Sequence, residues 1–375
     1  MTARDGSTRA SGRSAMTVQR VSDGDKARWD AFVEARPEAD VLQAWSWGDV
    51  TAPAGERPVR LAAVRAGEVV GVAGILVRAS VAGRTVGYVP HGPVWLRDDP
   101  EADAILRVLV AGIRDAGRAE RGIVVKLDPR AVPEVGDAPL TAALGALGLR
   151  RSAHDLQART TRIVPLHGGG DALRAAWDTK ARSRVRRAAE AGVEVVVHRS
   201  PDDAAIRAFH GLLAATARSA GFRTHELAHF ERIAAALAPE GRWCQAVTSY
   251  EGRVIGSVVT PRLGDRAFYL YGATAIHEAP ETRDLFPAYA GLAGAMDALA
   301  ADGVATLDLW GVAEPGDEHA DPSWAGFSEF KRHFRGVPLA HPGTWDLVVS
   351  PAWDAVRNGL ERVRDARKAH WGGGE

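Results

Sequence analysis

With a single cysteine, Cys244, the chain of 375 residues cannot close an internal disulfide, and no cysteine set stands at zinc spacing. A lone thiol of this kind reads as a small buried hydrophobe, and it fits a reducing compartment, so a cytoplasmic location is expected. Net charge is missing as well: 47 Lys plus Arg balance 47 Asp plus Glu. No global field therefore draws the molecule onto nucleic acid, and any contact with RNA has to come from a local patch. Neutrality, and the lack of a helix-turn-helix or zinc pattern, argue against DNA. Residues 1–15, rich in Ser, Arg, Gly and Ala, hold no apolar run long enough for a signal-peptide core or a membrane span. They are expected to form a disordered leader ahead of Met16.

What the chain does have is 46% hydrophobic residues, enough to fill two cores over a length that suits two domains. Strand-like and helix-like stretches alternate, which gives an α/β class with mixed α+β sheets. Val59–Val64 and Val69–Arg78 read as strands joined at Ala66-Gly67, and Thr85–Val89 as a third. Glu101–Gly117 has Ile105, Leu106, Val108, Leu109 and Ile113 near helical spacing, and Gly122–Leu127 reads as a buried strand ending at Asp128. A similar order returns later. Glu251-Gly-Arg-Val-Ile-Gly256 echoes Ala66-Gly-Glu-Val-Val-Gly71, followed by a strand at Ala267–Tyr271, a helix at Ala288–Ala301 and a strand at Ala305–Leu309, with Asp308 where Asp128 stood. Two copies of one unit are the economical reading, against a chance likeness of two valine-glycine hairpins.

Several clusters carry possible chemistry. In Leu42-Gln-Ala-Trp-Ser-Trp-Gly48, Trp45 and Trp47 beside Gln43 either pave a flat apolar wall with a polar edge or belong to the core. Tyr88-Val-Pro-His-Gly-Pro93 must turn, because Pro90 and Pro93 donate no backbone hydrogen bond; it either holds Tyr88 and His91 at the rim of a cleft or is a plain turn. Lys180-Ala-Arg-Ser-Arg-Val-Arg-Arg187 lies in a helical stretch from about 172 to 191. Its Lys180, Arg182 and Arg186 either grip phosphate or carboxylate or form a solvated basic face. Tyr269 and Tyr271 are expected on one face of their strand, as are Asp308 and Trp310 on theirs. Asp308 then either orients an amine or cation or caps the next loop. Residues 315–322 read as a loop, and Trp324–His333 as a short helix that turns Phe327, Phe330 and Phe334 inward and sets Lys331 and Arg332 beside aromatic anchors.

Taken in order, Leu42-Gln-x-Trp-x-Trp-Gly, Tyr88-x-Pro-x-Gly-Pro, Lys180-x-Arg-x-x-x-Arg, Tyr269-Leu-Tyr-Gly-Ala, Leu307-Asp-Leu-Trp-Gly and Phe330-Lys-Arg-x-Phe resemble the Fem family of peptidoglycan bridge-forming aminoacyltransferases. The likeness runs from about Met16 to near the C-terminus. It implies two tandem GNAT-like domains, at 16–155 and 156–343, with a segment 344–375 returning to the first. No heptad hairpin marks the coiled-coil arm of some members, so the chain is similar to the compact ones. The implied reaction moves Gly, Ala or Ser from aminoacyl-tRNA to the side-chain amine of a peptidoglycan stem peptide, on lipid II or UDP-MurNAc-pentapeptide. It needs no cofactor and no metal, and is expected of a monomer that can touch the inner face of the membrane.

By the same resemblance Lys331, with Arg332 as the alternative, faces the tetrahedral oxyanion. Lys180 and Arg182 bind phosphates of precursor or tRNA, and Trp45, Trp47, Tyr88 and Tyr271 line the acceptor channel. No firm general base emerges; a substrate phosphate is one choice and Asp308 a weaker one. Two departures stand out: His91 replaces the family's usual arginine, and Ser183 a frequent tyrosine. Both leave open a different acceptor. The alternatives are an acyl-CoA N-acyltransferase, whose only pyrophosphate-loop match, Arg114-Asp-Ala-Gly-Arg-Ala119, falls at a helix end, a tRNA-dependent enzyme with an acceptor outside the wall, and a non-catalytic tRNA- or precursor-binding protein.

Overall fold

The computed structural model describes residues 15–52, 55–132, 136–221, 223–316 and 324–371. Residues 1–14 of the expected leader and 317–322 of the expected loop lie outside them.

Ala66-Gly67 and Glu251-Gly252 each put two successive residues at positive φ, 52° and 87° in the first and 49° and 76° in the second. That backbone matches the twist of a tight hairpin. The first turn joins Arg57–Arg65 to Glu68–Ala79, and the second joins Gln245–Tyr250 to Arg253–Val259. A register shift falls just before each turn, at Ala63/Val64 and at Thr248/Ser249. Helix Ala102–Ala119 and then strand Gly122–Leu127 follow in the first copy; helix Pro287–Ala301 and strand Thr306–Asp308 follow in the second. Each late strand runs parallel to an earlier one, Thr85–Val89 or Arg266–Phe268. The shared turn, bulge and parallel pair establish the repeat: two lobes built from one α/β unit.

In the first lobe the sheet is continuous, with strands in the order Met16–Arg20, Arg57–Arg65, Glu68–Ala79, Thr85–Val89, Gly122–Leu127, Trp345–Val348 and Arg150–Arg151. Val94–Trp95 adds to Glu68–Ala79. Helix Ala102–Ala119 buries Ile105, Leu106, Leu109, Val110 and Ile113, an apolar stripe at helical spacing.

The second lobe differs where its central strand should be. The strand expected at Ala267–Tyr271 is two short ones: Arg266–Phe268, beside Thr306–Asp308, and Tyr271–Thr274, antiparallel to Arg253–Val259. Tyr269 N–H donates to the Asp308 carbonyl and Leu270 N–H to that of Val259, so the chain changes sheet between them. Tyr269 and Tyr271 therefore do not share a face. Tyr269 packs against the apolar cluster that holds Leu292 and Met296, its hydroxyl standing where a side chain on Gly272 would be, while Tyr271 meets Phe209 and Phe230.

The basic helix is also shorter than expected. Helices Gly170–Ala175 and Thr179–Glu190 are separate, and Asp178, extended with ψ 158°, caps the second by accepting from the N–H of Lys180 at 2.6 Å and of Ala181. One apolar cluster crosses between the lobes, joining Trp29, Trp45 and Trp47 to Phe209, Phe230 and Trp243. Among the described residues no helix is long and apolar enough to cross a membrane.

Candidate functional site

Where the lobes meet, a cavity of about 440 Å³ opens. Trp47, Thr51, Glu56, Arg78, Tyr88 and Lys126 line it from the first lobe, and Gln157, His225, His229, Tyr271 and Trp310 from the second. Aromatic faces with a few polar groups among them suit an elongated, partly polar ligand. Tyr88 is fixed by donating to Asp128 at 2.7 Å, and burial together with that carboxylate holds its phenol well above the ordinary range. Lys126 donates to Ser152 and Asp346, each at 2.6 Å, so its charge is already matched.

Behind this wall the segment Leu307–Ala313 organises the second lobe's chemistry. Asp308 is buried; one oxygen receives Arg130, and the other accepts from the Thr161 hydroxyl and, at 2.7 Å, from the Trp310 N–H. Trp310 sits at φ 58°, a conformation that this local hydrogen bond helps to hold, and its ring lies 4.9 Å from His91. Asp308 is thus a structural anchor. Three donors, from Arg130, Thr161 and Trp310, hold its oxygens, and the left-handed turn at Trp310 undoes the shared face expected of the pair.

Helix Ala325–Arg332 clamps the same segment from the other side. The Ser328 hydroxyl accepts from the Ala313 N–H at 2.8 Å, Arg332 donates to the Ala313 carbonyl at 2.5 Å, and Lys331 Nζ donates to the Gly311 carbonyl at 2.9 Å. A side chain on Gly311 would run into Trp324 and Ala158, so glycine is needed for this approach. Lys331 is buried, with Nζ 4.9 Å from the Tyr269 ring centre and 5.0 Å from that of Phe327. Burial pushes its amine down to about 7, with Asp308 pulling weakly the other way. Arg332 serves the carbonyl rather than open space.

Of the other residues expected at the site, Trp47, Tyr88, Tyr271 and Trp310 meet in the cavity. Gln43 does not: buried, it accepts from the Gly74 N–H at 2.9 Å and donates to the Pro90 carbonyl at 2.6 Å, stapling a strand to the Tyr88–Pro93 loop. Trp45 is core, packed edge-on against Trp29 and under the Arg60 guanidinium. His91 is not at a rim but buried against Asp40. Lys180, Arg182 and Arg186 are exposed on the outer face of their helix and do not line the cavity.

His225 and His229 line the cavity without belonging to any of the motifs above. Their rings stack at 3.9 Å, and His229 Nε2 lies 3.4 Å from the Tyr271 hydroxyl. The readable signal is a His-x-x-x-His spacing at a helix start. Burial, then the charges of His225 and Arg232, push His229 from 6.5 to about 4. Its neutral form is the one the fold favours, so stability should fall as pH drops from 6.5 and the loss should be complete near 4. Urea midpoints at pH 7, 5.5 and 4.5 test this, and His229→Gln should flatten the trend. Among the described residues no cluster of three or more His, Cys, Asp or Glu could hold a metal.

Known proteins match this architecture. Residues 149–332 fit the family model described as an acetyltransferase (GNAT) domain. Lipid II:glycine glycyltransferase of Staphylococcus aureus is 31% identical over 220 residues, which is 56% of this chain and 51% of that protein. The chain therefore spans about half the length of the curated relatives it matches. Among solved structures, FemX superposes with a TM-score of 0.78 at 21% identity over 90% of this chain and 99% of that one. A tandem GNAT protein from the clavulanic acid biosynthesis pathway gives 0.57 at 14% identity, over 90% and 99%. With its repeated GNAT-like unit and this sequence match, the chain has a tandem GNAT-like fold and is similar to the Fem proteins.

Proposed function

We propose that the protein is an aminoacyltransferase that carries an amino acid from aminoacyl-tRNA to the side-chain amine of a peptidoglycan precursor's stem peptide. The observation that carries this reading is the inter-lobe cavity, paved by Trp47, Tyr88, Tyr271 and Trp310; the residue after Trp310, Gly311, accepts at its carbonyl from Lys331, which is buried behind that wall. The name of the S. aureus relative favours glycine as the group transferred and lipid II as the acceptor. In this reading the protein works in the cytoplasm, against the inner face of the membrane when the acceptor is lipid-linked.

The chemistry asks little of the donor, because an ester to the terminal ribose of tRNA is already activated. The acceptor amine, with an ordinary pKa of ~10.4, must lose a proton before it attacks. Attack builds charge on the carbonyl oxygen, and a positive group aimed there lowers the barrier. Lys331 is the group for that oxygen. Trp47, Tyr88, Tyr271 and Trp310 hold the sugar-peptide part of the acceptor by their faces. Lys180, Arg182 and Arg186, exposed on one helix, attract phosphates of the tRNA or precursor from outside the cavity. The GNAT model match over the second lobe favours one rival reading, an acyl-CoA donor.

The test supplies the purified protein with labelled Gly-, Ala- or Ser-tRNA, or with acetyl-CoA. Lipid II or UDP-MurNAc-pentapeptide is the acceptor, and the peptide is weighed by mass spectrometry. A glycine increment from Gly-tRNA is expected. Transfer from acetyl-CoA with none from any aminoacyl-tRNA would overturn the proposal.

A further inference from the structure

Resting on that reading of function, we infer that Lys331 enters the reaction as a neutral amine: it takes the proton from the incoming substrate ammonium and then, as an ammonium, faces the oxyanion. The geometry points this way through what Lys331 is given. A buried permanent cation needs a carboxylate, and this chain supplies that elsewhere: Arg130 is set between Asp40 and Asp308. Lys331 has one carbonyl, that of Gly311, and two ring faces, Tyr269 and Phe327. Among the described residues no carboxylate stands within ion-pair distance of it.

The surrounding charges are otherwise engaged. Asp308, on the neighbouring strand, is shared by Arg130, Thr161 and the Trp310 N–H. On its own helix, Arg332 is turned to the Ala313 carbonyl, and Glu329 is exposed and lies 3.7 Å from both Lys180 and His333. The uncharged Tyr269 phenol is pushed upward by burial, away from ionisation. Such surroundings disfavour a resting ammonium, while the two ring faces and the carbonyl soften the cost of forming one transiently. The lowered Lys331 amine, at about 7, lies where a proton acceptor works best at neutral pH.

Each proton and electron pair has a destination. Lys331 Nζ takes one proton from the substrate ammonium, leaving a free amine whose lone pair bonds to the ester carbonyl carbon. The carbonyl π pair moves to oxygen, opposite the new Lys331 ammonium. The intermediate collapses as the carbon–oxygen bond to the tRNA ribose breaks, and the departing oxygen takes a proton from the newly bonded nitrogen. An amide and a ribose hydroxyl result, and Lys331 returns its proton to water.

A fixed cation and a proton acceptor predict opposite pH limbs. With the tRNA donor and precursor acceptor above, kcat/KM of the unaltered enzyme should rise between pH 6 and 8 with a midpoint near 7. A rate that falls through pH 7 overturns the inference. Lys331→Arg keeps a permanent charge and cannot lose its proton, so it should drop turnover by ~10²–10⁴-fold and lose that limb. Activity within about tenfold of the unaltered enzyme overturns the inference, since that spread is smaller than general acid–base catalysis contributes. Should the arginine variant fail to fold, Lys331→Ala with small primary amines serves instead, rescue rising with amine basicity being the expected result and rescue independent of it the contrary one. NMR titration of lysine side chains in the unaltered protein, with the Lys331 signal assigned by its loss in the alanine variant, reads the group without any turnover. A midpoint near 7 supports the inference and one near the ordinary ~10.4 overturns it, even if the transfer assay finds that the assigned function is wrong.

Discussion

Arg130→Ala should cost the fold about 3–5 kcal/mol, seen as a lower denaturant midpoint at unchanged slope. The guanidinium is buried, with Nη1 3.2 Å from Asp40 in the first lobe and Nη2 on Asp308 in the second. Its removal strands two buried carboxylates, left with His91 on one side and the Thr161 hydroxyl with the Trp310 N–H on the other. Arg130→Lys should recover only part of the loss, because a single ammonium cannot reach both acids in the way a planar fork does. Acid should separate the variants further. Burial alone would raise the Asp40 carboxyl, but His91 and Arg130 overcome it and hold the group below its ordinary 3.8. The stability this contributes is present above 3.8 and is lost as pH falls through the lowered value, so Arg130→Ala should begin to unfold at a higher pH than the parent. Because Asp308 also fixes Trp310, the folded fraction should show a raised KM for the acceptor and a smaller change in kcat.

What could be read from the sequence was mostly local. Ala66-Gly67 and Glu251-Gly252 announce their hairpins because few sequences tolerate two positive φ values in a row, and the helix at 102–119 announces itself by its apolar stripe. Even the break before Thr179 has a signal, an aspartate poised as a cap, masked by the alanines and the basic residues that favour helix on either side of it. The candidate site was legible as a set of motifs and illegible as an arrangement. Tyr269 and Tyr271 differ in which sheet the local backbone joins, Asp308 far along the chain drawing the first and Val259 on the preceding strand the second. The partner of Asp308, Arg130, comes from the other lobe, and no short-range pattern links them. His225 and His229 show only a His-x-x-x-His spacing, and its meaning arises when Tyr271 and the first lobe close around them.

Trp45→Ala and Trp47→Ala should fail in different ways although the residues are two apart. Trp45 is 3% exposed, its ring edge-on to Trp29 at 5.7 Å and covered by Arg60 at 4.0 Å. Its own N–H donates to Asp30 at 2.9 Å and its carbonyl accepts from Arg60 at 2.7 Å, so the backbone there is held as firmly as the ring. Truncation leaves a large void that these tied neighbours cannot close, and a loss of about 3–5 kcal/mol is expected, with KM of the surviving folded enzyme unchanged. Trp47 starts the short helix Trp47–Thr51 and is also well packed, but one side of it faces the cavity. Its truncation should therefore lower stability and, in addition, weaken acceptor binding by at least about 2 kcal/mol, roughly thirtyfold in KM, as for a buried tryptophan anchor at a contact. Urea midpoints and acceptor KM measured on both variants separate the two roles. Equal KM effects would mean that the alternation around Ser46 does not divide core from cavity, and the aromatic wall assigned to Trp47 would have to be given up.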